Sequence, residues 1–309
     1  MSVSYDIENF YNELVEHGLV LPTGVKGAYG RGPVLEDIVR AFNAIVTRIG
    51  EADGAQEVLF PPVLPRALIE KMGYMDSFPQ LAGSVHSFMG NDAKARELSE
   101  RVHAGERWEE MLDPTELMLA PAACYPVYPC FSGLLPGGGR LITTMNWVFR
   151  HEPSDEPTRL QSFRMREFIR LGKADDVVAW RDDWLRRGLE LLQGLGLPAD
   201  SDVASDPFFG RVGKMLATNQ KEQRLKFEIL VPVISLEKPT AVASFNWHQD
   251  HFSSKFGIRN ADDTLAQTAC MGFGLERVAL ALVKAHGFDP KAWPQAVRAQ
   301  LWPDAAAHS

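Results

Sequence analysis

The sequence predicts an α+β fold in which an antiparallel sheet is flanked by helices. Two kinds of segment support this prediction. Strand-like segments occupy residues 141–152, 159–168, 227–236 and 240–247. Segments with helical apolar spacing occupy residues 35–49, 175–194 and 275–283. The first two strand-like segments are separated by a short polar loop, which predicts that they pair as an antiparallel hairpin.

The bulk composition is that of an ordinary globular protein. The chain has 309 residues, of which 45% are hydrophobic and 23% charged, and we expect one domain over residues 1–309. No apolar run approaches the roughly 20 residues of a membrane span. The N-terminal segment lacks the basic start and apolar core of a signal peptide. We therefore expect a cytosolic protein that has no membrane partner.

Charge and cysteine content disfavour two classes of protein, those that bind nucleic acid by bulk charge and those built on disulfides. The net charge is −8 and the pI is near 5.5, which disfavours bulk electrostatic attraction to nucleic acid. The three cysteines are an odd number. They indicate free thiols, or thiolates on a metal, rather than a disulfide framework.

The first half of the chain contains two helical regions. The apolar stripe over 35–49 predicts a helix that ends near Gly50. The short strand that follows, 57–60, is stopped by two prolines. Residues 66–112 are mostly helical and polar, and we interpret them as a helical insertion. Within them, 91–107 carries many charges and few apolar anchors, which predicts a solvated surface helix.

The hairpin carries an unusual set of side chains. If both strands are regular, residues two apart share a face, so Arg150 and Glu152 point the same way. The second strand presents on one face Arg159, Phe163, Met165 and Glu167. Arginine suits a phosphate, an aromatic ring suits a base, and a carboxylate accepts from an amino group. The hairpin alone is equally well explained as an exposed, salt-bridged ribbon.

Two segments in the second half have a predicted role. The helix over 175–194 is expected to be capped by Asp175. Its buried stripe is predicted to contain Val178, Trp184, Leu185, Leu189 and Leu192. Residues 206–226 contain a local basic cluster of Arg211, Lys214, Lys221, Arg224 and Lys226. Such a cluster is usually a solvated face, and the alternative is a docking site for a partner.

The pattern Gly272-x-Gly274-x-x-Arg277 opens the last apolar helix. Glycines permit close approach of the backbone, and an arginine in the first helical turn adds to the N-terminal dipole in favouring an anion. We predict that Arg277 holds a terminal phosphate. The alternative is an exposed arginine at an ordinary helix start.

Cys124, Glu167 and Cys270 are a candidate metal site. They lie far apart in the sequence, so no local spacing marks them, and a cysteine is usually a small buried apolar residue. If the strands bring them together, two thiolates and a carboxylate would surround Zn²⁺ and leave one position open, which is the catalytic zinc pattern. The histidines His86, His103, His248 and His251 lack ligand spacing, and we interpret them as surface or core residues.

Together these motifs resemble the catalytic core of class II aminoacyl-tRNA synthetases. The hairpin from Phe149 resembles the second motif of that class, 272–277 resembles the third, and the helix and strand before Pro61 resemble the first, which forms the dimer interface. The three candidate metal ligands resemble those of the zinc-dependent seryl-tRNA synthetases of methanogenic archaea. The resemblance covers about residues 35–285. Because the core starts within the first few dozen residues and the net charge is negative, the chain is most similar to the amino acid:[carrier protein] ligases.

This resemblance implies a set of ligands and roles. Arg150 would contact the α-phosphate of ATP, Glu152 the adenine amino group, and Phe163 the adenine ring. Arg159 and Arg277 would hold the β- and γ-phosphates. One zinc ion per subunit, on Cys124, Glu167 and Cys270, would take the α-amino group of the substrate. The acidic Mg²⁺ ligand is not obvious in the sequence, because Thr240 occupies the expected place, and the candidates are Glu237 and Asp250.

The implied reaction is ATP-dependent activation of a small amino acid, glycine first and alanine second. The aminoacyl group would then pass to the phosphopantetheine thiol of a carrier protein as a thioester. The implied assembly is a homodimer without tRNA, and residues 206–226 are the candidate carrier dock. Two alternatives stay open at this point: a tRNA-aminoacylating fragment, and a catalytically inactive regulatory paralogue.

Overall fold

The structure is a computed structural model and describes residues 7–303. Its helices are α1 Ile7–Glu16, α2 Pro33–Ala52, α3 Arg66–Met72, α4 Tyr74–Ser77, α5 Asp92–Ala104, α6 Ala174–Gly194, α7 Gly210–Glu222, α8 His251–Phe256, α9 Leu275–His286 and α10 Gln295–Leu301. Its strands are β1 Val20–Leu21, β2 Gly30–Arg31, β3 Gln56–Glu57, β4 Val63–Pro65, β5 Ser84–Ser87, β6 Asp113–Leu119, β7 Gly133–Leu134, β8 Arg140–Phe149, β9 Ser162–Gly172, β10 Asp200–Val203, β11 Lys226–Val231, β12 Thr240–Gln249, β13 Ile258–Arg259 and β14 Gln267–Gly274.

A seven-stranded sheet forms the centre of the fold, in the order β10-β11-β12-β14-β9-β8-β3. Its strands pair antiparallel, except that the short edge strand β3 runs parallel to β8. The predicted antiparallel sheet flanked by helices is therefore confirmed. Within residues 7–303, no helix combines the length and the apolar character needed to cross a bilayer.

The two faces of this sheet have different surroundings. On β14, Met271 and Phe273 point into the main apolar core, whereas the alternate residue Cys270 points to the other face, as the period of two requires. Helices α2, α6 and α9 cover the core face. Close packing fixes their distance from the sheet: a Cβ on Gly50 of α2 would lie 2.0 Å from the ring of Phe168. The opposite face remains open over the central strands and carries the site described below.

The two predicted long helices are present, with small differences. The apolar stripe of α2 is buried as predicted, apart from Ile49, which is half-buried. Helix α6 begins at Ala174, and its N-cap is Lys173, not Asp175, with no side-chain capping bond. Val177 rather than Val178 is buried, because the helix phase is set by Trp184, which stacks on Phe168 at 4.8 Å.

The region 57–112 is more mixed than predicted. The chain pairs as a strand at Gln56–Glu57 and not over 57–60. Residues 66–112 contain α3, α4 and α5 as expected, but also strand β5, which joins β4 and β6 in a small sheet of order β4-β6-β5. None of the residues of α5 is buried, so the predicted solvated helix is confirmed.

Candidate active site

A cavity of about 640 Å³ lies on the open face of the central sheet. Its floor is a row of paired residues that crosses four strands: Glu228 on β11, Ser244 on β12, Gly272 on β14 and Glu167 on β9. Paired residues of antiparallel strands point to the same face, so the register alone brings these four positions together.

The three candidate metal ligands converge in this cavity. The ligand atoms of Cys124, Glu167 and Cys270 all lie within 4.8 Å of one another, and all three residues are buried. Glu167 and Cys270 come from adjacent strands, and Cys124 comes from the loop that follows β6. From the sequence, the site was expected only if the strands bring these three residues together. The structure shows that they do.

The carboxylate of Glu167 is held from two sides. The backbone N–H groups of Ala123 and Cys124 donate to its two oxygens, each at 3.0 Å. Behind it stands Gly272, where an added Cβ would lie 2.9 Å from Glu167 Cγ. The glycine of the 272–274 pattern thus makes room for the carboxylate, within a strand and not in a phosphate-binding loop.

The site favours an anion on Cys270 over one on Cys124. The hydrogen bond from Cys124 lowers the pKa of the Cys270 thiol, and His248, whose Nε2 lies 3.4 Å from Cys270 Sγ, lowers this pKa further. The same hydrogen bond and burial raise the pKa of Cys124. Burial, followed by the charge of Cys270, raises the pKa of Glu167 to about 7. Three buried acidic groups so close together are therefore electrostatically unfavourable without a cation.

This donor set fits a divalent metal of borderline or soft character. In a tetrahedral zinc site, with bonds of about 2.3 Å to sulfur, two thiolates stand roughly 3.8 Å apart. Ligand atoms within 4.8 Å of one another are compatible with that spacing. The cluster faces the cavity, so a fourth position is accessible from it.

A second group of residues lies further along the same face. The guanidinium carbons of Arg150 and Arg277 lie 5.7 and 5.9 Å from the centre of the Phe163 ring. Arg277 donates to the backbone oxygens of Thr158 and Ala241, at 2.9 and 3.0 Å. Burial and then the charge of Arg150 lower the pKa of Arg277. Two cations and a ring that face one cavity are suited to a nucleotide.

The structure corrects the predicted hairpin face. Phe163, Met165 and Glu167 share the cavity face as predicted, but β8 ends at Phe149, so the residues up to 161 form a loop. Glu152 and Arg159 lie in that loop, form an ion pair of 3.5 Å, and are not among the residues that line the cavity. The strand pairing ends because a residue distant in the sequence takes one of the backbone hydrogen bonds. The N–H of Gln161, which a longer hairpin would use, donates instead to Gly27.

The two candidate magnesium ligands lie on the surface of the structure. Glu237 is exposed, Asp250 is exposed, and neither lines the cavity. Glu228 does line it, and it accepts from Lys226 Nζ at 2.9 Å. In the sequence Glu228 alternates with apolar neighbours, a pattern that is typical of a solvent face.

His86, His103 and His251 are exposed, as predicted for surface residues, although His251 also lines the cavity. His248 is half-buried, lines the cavity and contacts Cys270, a role that its sequence context did not indicate. The basic residues of 206–226 do not form one surface. Lys226 is buried between Asp206 and Glu228, whereas Lys214 and Lys221 on α7 are exposed, and the side chain of Arg211 lies outside the described residues.

Comparisons with known proteins agree with this geometry. No family model matches the sequence. Two Bradyrhizobium diazoefficiens proteins, amino acid–[acyl-carrier-protein] ligases 1 and 2, are each 46% identical over 277 residues, which is 89% of this chain and 85% and 83% of theirs. The type-2 serine–tRNA ligase of Methanococcus aeolicus is 26% identical over 298 residues, 89% of this chain and 56% of that protein.

Solved structures show the same fold. The seryl-tRNA synthetase of M. kandleri, in a complex with a tRNA from A. aeolicus, matches with a TM-score of 0.81 at 21% identity, over 97% of this chain and 61% of its own. The Pyrococcus horikoshii seryl-tRNA synthetase complexed with ATP matches with a TM-score of 0.67 at 16% identity, over 90% of this chain and 58% of its own. The predicted class II synthetase-like fold is thereby confirmed.

Proposed function

The chain belongs to the amino acid–[acyl-carrier-protein] ligase family, and we propose that it activates a small amino acid with ATP and transfers it to a carrier protein. One observation carries the proposal. A single cavity contains a Cys-Glu-Cys cluster suited to an amine-binding metal and, beside it, two arginines and a ring suited to a nucleotide.

In the first step the amino acid carboxylate attacks the α-phosphorus of ATP, and the bond to pyrophosphate breaks. The attacking group is already an anion, so no general base is required. Phe163 would stack on adenine. Arg150 would stabilise the charge on the α-phosphoryl oxygens, and Arg277 would contact the leaving phosphates. Such electrostatic stabilisation usually makes the largest contribution to phosphoryl-transfer catalysis. Glu152 and Arg159, on the loop beside them, are proposed for the adenine amino group and the γ-phosphate.

Two metal ions complete the proposal. Zinc, one per subunit, would be held by Cys124, Glu167 and Cys270, and when bound it supplies a Lewis acid that selects an uncharged α-amino group. Mg²⁺ would accompany ATP, and Glu228 is our candidate ligand because its carboxylate lines the cavity opposite Ser244. Its pairing with Lys226 would then be shared with the metal.

We propose glycine as the main substrate and alanine as the second. The support is the crowding around the cluster. Cys124 and Cys270 belong to the same packed group as Tyr128 and Phe252, and the rings of these two residues stack at 4.0 Å. Phe252 lines the cavity and Tyr128 supports it from behind, so a large substrate side chain would meet a ring that is held in place.

In the second step the phosphopantetheine thiol loses its proton to water, and its sulfur attacks the carbonyl carbon of the adenylate. The carbon–oxygen bond to AMP breaks, and a thioester forms. We propose that α7 docks the carrier protein. It carries the exposed apolar residues Met215 and Leu216, 73% and 43% exposed, beside the exposed Lys214 and Lys221. An acidic partner with an apolar patch would match this surface.

The decisive experiment is ATP–pyrophosphate exchange across a panel of amino acids, with metal analysis of the same sample. We expect exchange that depends on glycine and about one zinc per chain. Cys270→Ala should lose the metal and the exchange together, while Cys130→Ala, which changes the exposed cysteine away from the cluster, should lose neither. Full activity in Cys270→Ala would remove the metal from the mechanism, and absence of exchange in the zinc-loaded wild type would indicate an inactive paralogue.

A second experiment identifies the acceptor. Charging is measured with holo-carrier protein and with tRNA, and we expect only the carrier to be charged. Charging of tRNA alone would contradict the proposal. Replacing Lys214 and Lys221 by Glu should raise the KM for the carrier about tenfold and leave exchange unchanged, with Lys291→Glu, an exposed position off α7, as the control.

We also propose that the protein is a cytosolic homodimer. The residue Leu59, next to the edge strand β3, is 69% exposed, an unusual position for a large apolar side chain. Leu59→Asp should convert dimers to monomers in sedimentation experiments. The equally exposed Leu134, changed to Asp, provides the control, and a monomeric wild type would exclude the dimer.

A further inference from the structure

Tyr74 is a cavity-lining residue that carries an unpartnered polar group. Its side chain lines the cavity and is 5% exposed, yet its hydroxyl has no hydrogen-bond partner among residues 7–303. A buried hydroxyl without a partner is rare in native proteins, because it has lost its water without compensation. Such a group calls for an acceptor that is supplied from outside the chain.

The position of Tyr74 is fixed by its neighbours. It follows Gly73, whose φ of 74° ends α3 in the left-handed conformation and turns the chain into α4. Its ring packs against Phe78 at 5.3 Å and edge-on against Tyr125 at 5.9 Å. The ring is therefore held from two sides, and the hydroxyl cannot easily turn towards solvent.

The hydroxyl is surrounded by charge but not bonded to it. Burial raises the pKa of Tyr74 to about 12, the positive charge of Arg150 opposes this shift, and Glu152 and Asp206 add to it. Tyr74 is therefore protonated at neutral pH and can act as a donor. Arg150 also has donors without an acceptor. Its Nε donates to the Pro121 oxygen at 3.1 Å, but its two terminal nitrogens have no hydrogen bond or ion pair within the described part of the chain.

Arg150, a cation with free donors, and Tyr74, a neutral donor without an acceptor, thus line the same cavity. Their common complement is an oxygen atom with negative charge. We propose that the Tyr74 hydroxyl donates to an anionic oxygen of the reacting substrates, either on the α-phosphoryl group beside Arg150 or on the carboxylate that attacks it. This rests on the proposed function for the identity of the substrates, and it makes Tyr74 a catalytic residue that no sequence motif indicated.

The test is Tyr74→Phe, which removes the hydroxyl and keeps the ring. Because the lost hydroxyl has no partner in the free protein, we expect the melting temperature of the ligand-free variant to equal or exceed that of the wild type. Charge on the contacted oxygen changes during the reaction, so we expect kcat for pyrophosphate exchange to fall roughly 100-fold. Tyr11→Phe, on α1 and outside the cavity, should change neither quantity.

Binding experiments separate the two sources of the oxygen. If the α-phosphoryl group is the acceptor, the variant should bind AMP about tenfold more weakly and adenosine, which lacks the phosphate, unchanged. If the carboxylate is the acceptor, AMP binding should be unchanged and the KM for the amino acid should rise instead. Either result supports an anionic acceptor.

Two results would overturn the inference. One is a kcat, an AMP affinity and an amino acid KM that all stay within about twofold of the wild type. The other is a clear fall in the melting temperature of the ligand-free variant, since that would mean that the hydroxyl has a structural partner. The comparison of AMP with adenosine needs no amino acid, so it still tests the α-phosphoryl arm if the wild type shows no exchange and the proposed function fails.

Discussion

The most direct test of the site geometry is Gly272→Ala, which adds one methyl group beside the Cys124–Glu167–Cys270 cluster. The new Cβ would lie 2.9 Å from Glu167 Cγ and 2.9 Å from Met165 Cε. Met165 meets the methyl with the end of a flexible side chain and can rotate away. Glu167 cannot, because both of its oxygens are hydrogen-bonded to the backbone of Ala123 and Cys124.

The size of the effect follows from these distances. Non-bonded carbons rest about 3.5–4.0 Å apart, so Glu167 must retreat by roughly 0.5–1 Å. A shift of that size would distort both hydrogen bonds, which are 3.0 Å each, because the usual range is only about 2.7–3.2 Å. Overpacking costs about 1–3 kcal/mol, and a weakened bond to a charged acceptor adds up to about 1.5–3 kcal/mol. We expect a loss of about 3 kcal/mol in total, or a melting temperature lower by roughly 4–6 °C for a chain of 309 residues.

Denaturant unfolding, metal analysis and pyrophosphate exchange provide the measurements. Gly272→Ala should bind metal weakly and lose most of its exchange activity. The matched control is Gly274→Ala, two residues along the same strand, where the nearest atoms to an added Cβ are 3.7 Å away, an ordinary contact. Retention of stability, metal and activity in Gly272→Ala would refute the reasoning, as would equal damage in the control.

Three further predictions follow from other parts of the cavity. Phe163→Leu should raise the KM for ATP about tenfold, since a stacked ring contributes about 1–3 kcal/mol, and should leave metal content unchanged. Lys226→Met should cost about 2–3 kcal/mol of unfolding free energy, less than a fully buried pair because its partners are partly exposed, while Lys214→Met should cost nothing measurable. Burial raises the pKa of Asp206, but the charge of Lys226 and the hydrogen bonds outweigh it, so the net shift is downward. The stability from this pair is therefore present above about pH 4 and is lost as the pH falls below it, so the Lys226→Met deficit should shrink in acid. The pKa of Tyr74 is raised to about 12 in the folded protein, whereas a tyrosine in the unfolded chain titrates near pH 10. The unfolded chain therefore loses this proton at lower pH, and the unfolding free energy of the wild type falls between about pH 10 and 12. The unfolding free energy of Tyr74→Phe minus that of the wild type should therefore be about 1 kcal/mol more favourable to the variant at pH 11 than at pH 8.

Sequence periodicity was sufficient to predict the helices and strands that bury one regular face. The stripe of α2 and the strand β8 were predictable because apolar spacing of 3.6 or 2 residues reports directly which face is buried. The cavity face of β9 was predictable for the same reason: Phe163, Met165 and Glu167 alternate with residues that face the core. The convergence of the two cysteines with Glu167 required the order of strands in the sheet, which periodicity does not contain.

The errors have a different physical origin. Glu152 and Arg159 were placed on strands because nothing in the local sequence shows that Gly27, more than a hundred residues away, takes the Gln161 N–H. Glu228 was not among the candidates, because a strand pattern gives alternation and not the identity of what covers each face. Tyr74 lies in a short helix after a glycine turn, where no repeating pattern exists. Local patterns therefore do not identify the residues that the loops and the strand order bring to the cavity.

The two faces of β9 explain how the site is held in place before any ligand arrives. Each residue that faces the cavity alternates with one fixed on the core side. Arg164 bonds to Glu36 and Glu276 at 2.7–2.9 Å, and Phe168 stacks on α6. Buried ion pairs of this kind contribute little net stability, since desolvation offsets their attraction, so their main effect here is positional. Glu167 cannot shift along or across the sheet without breaking these contacts on both sides. Fixed ligands of this kind are what the proposed metal site would need for selective binding.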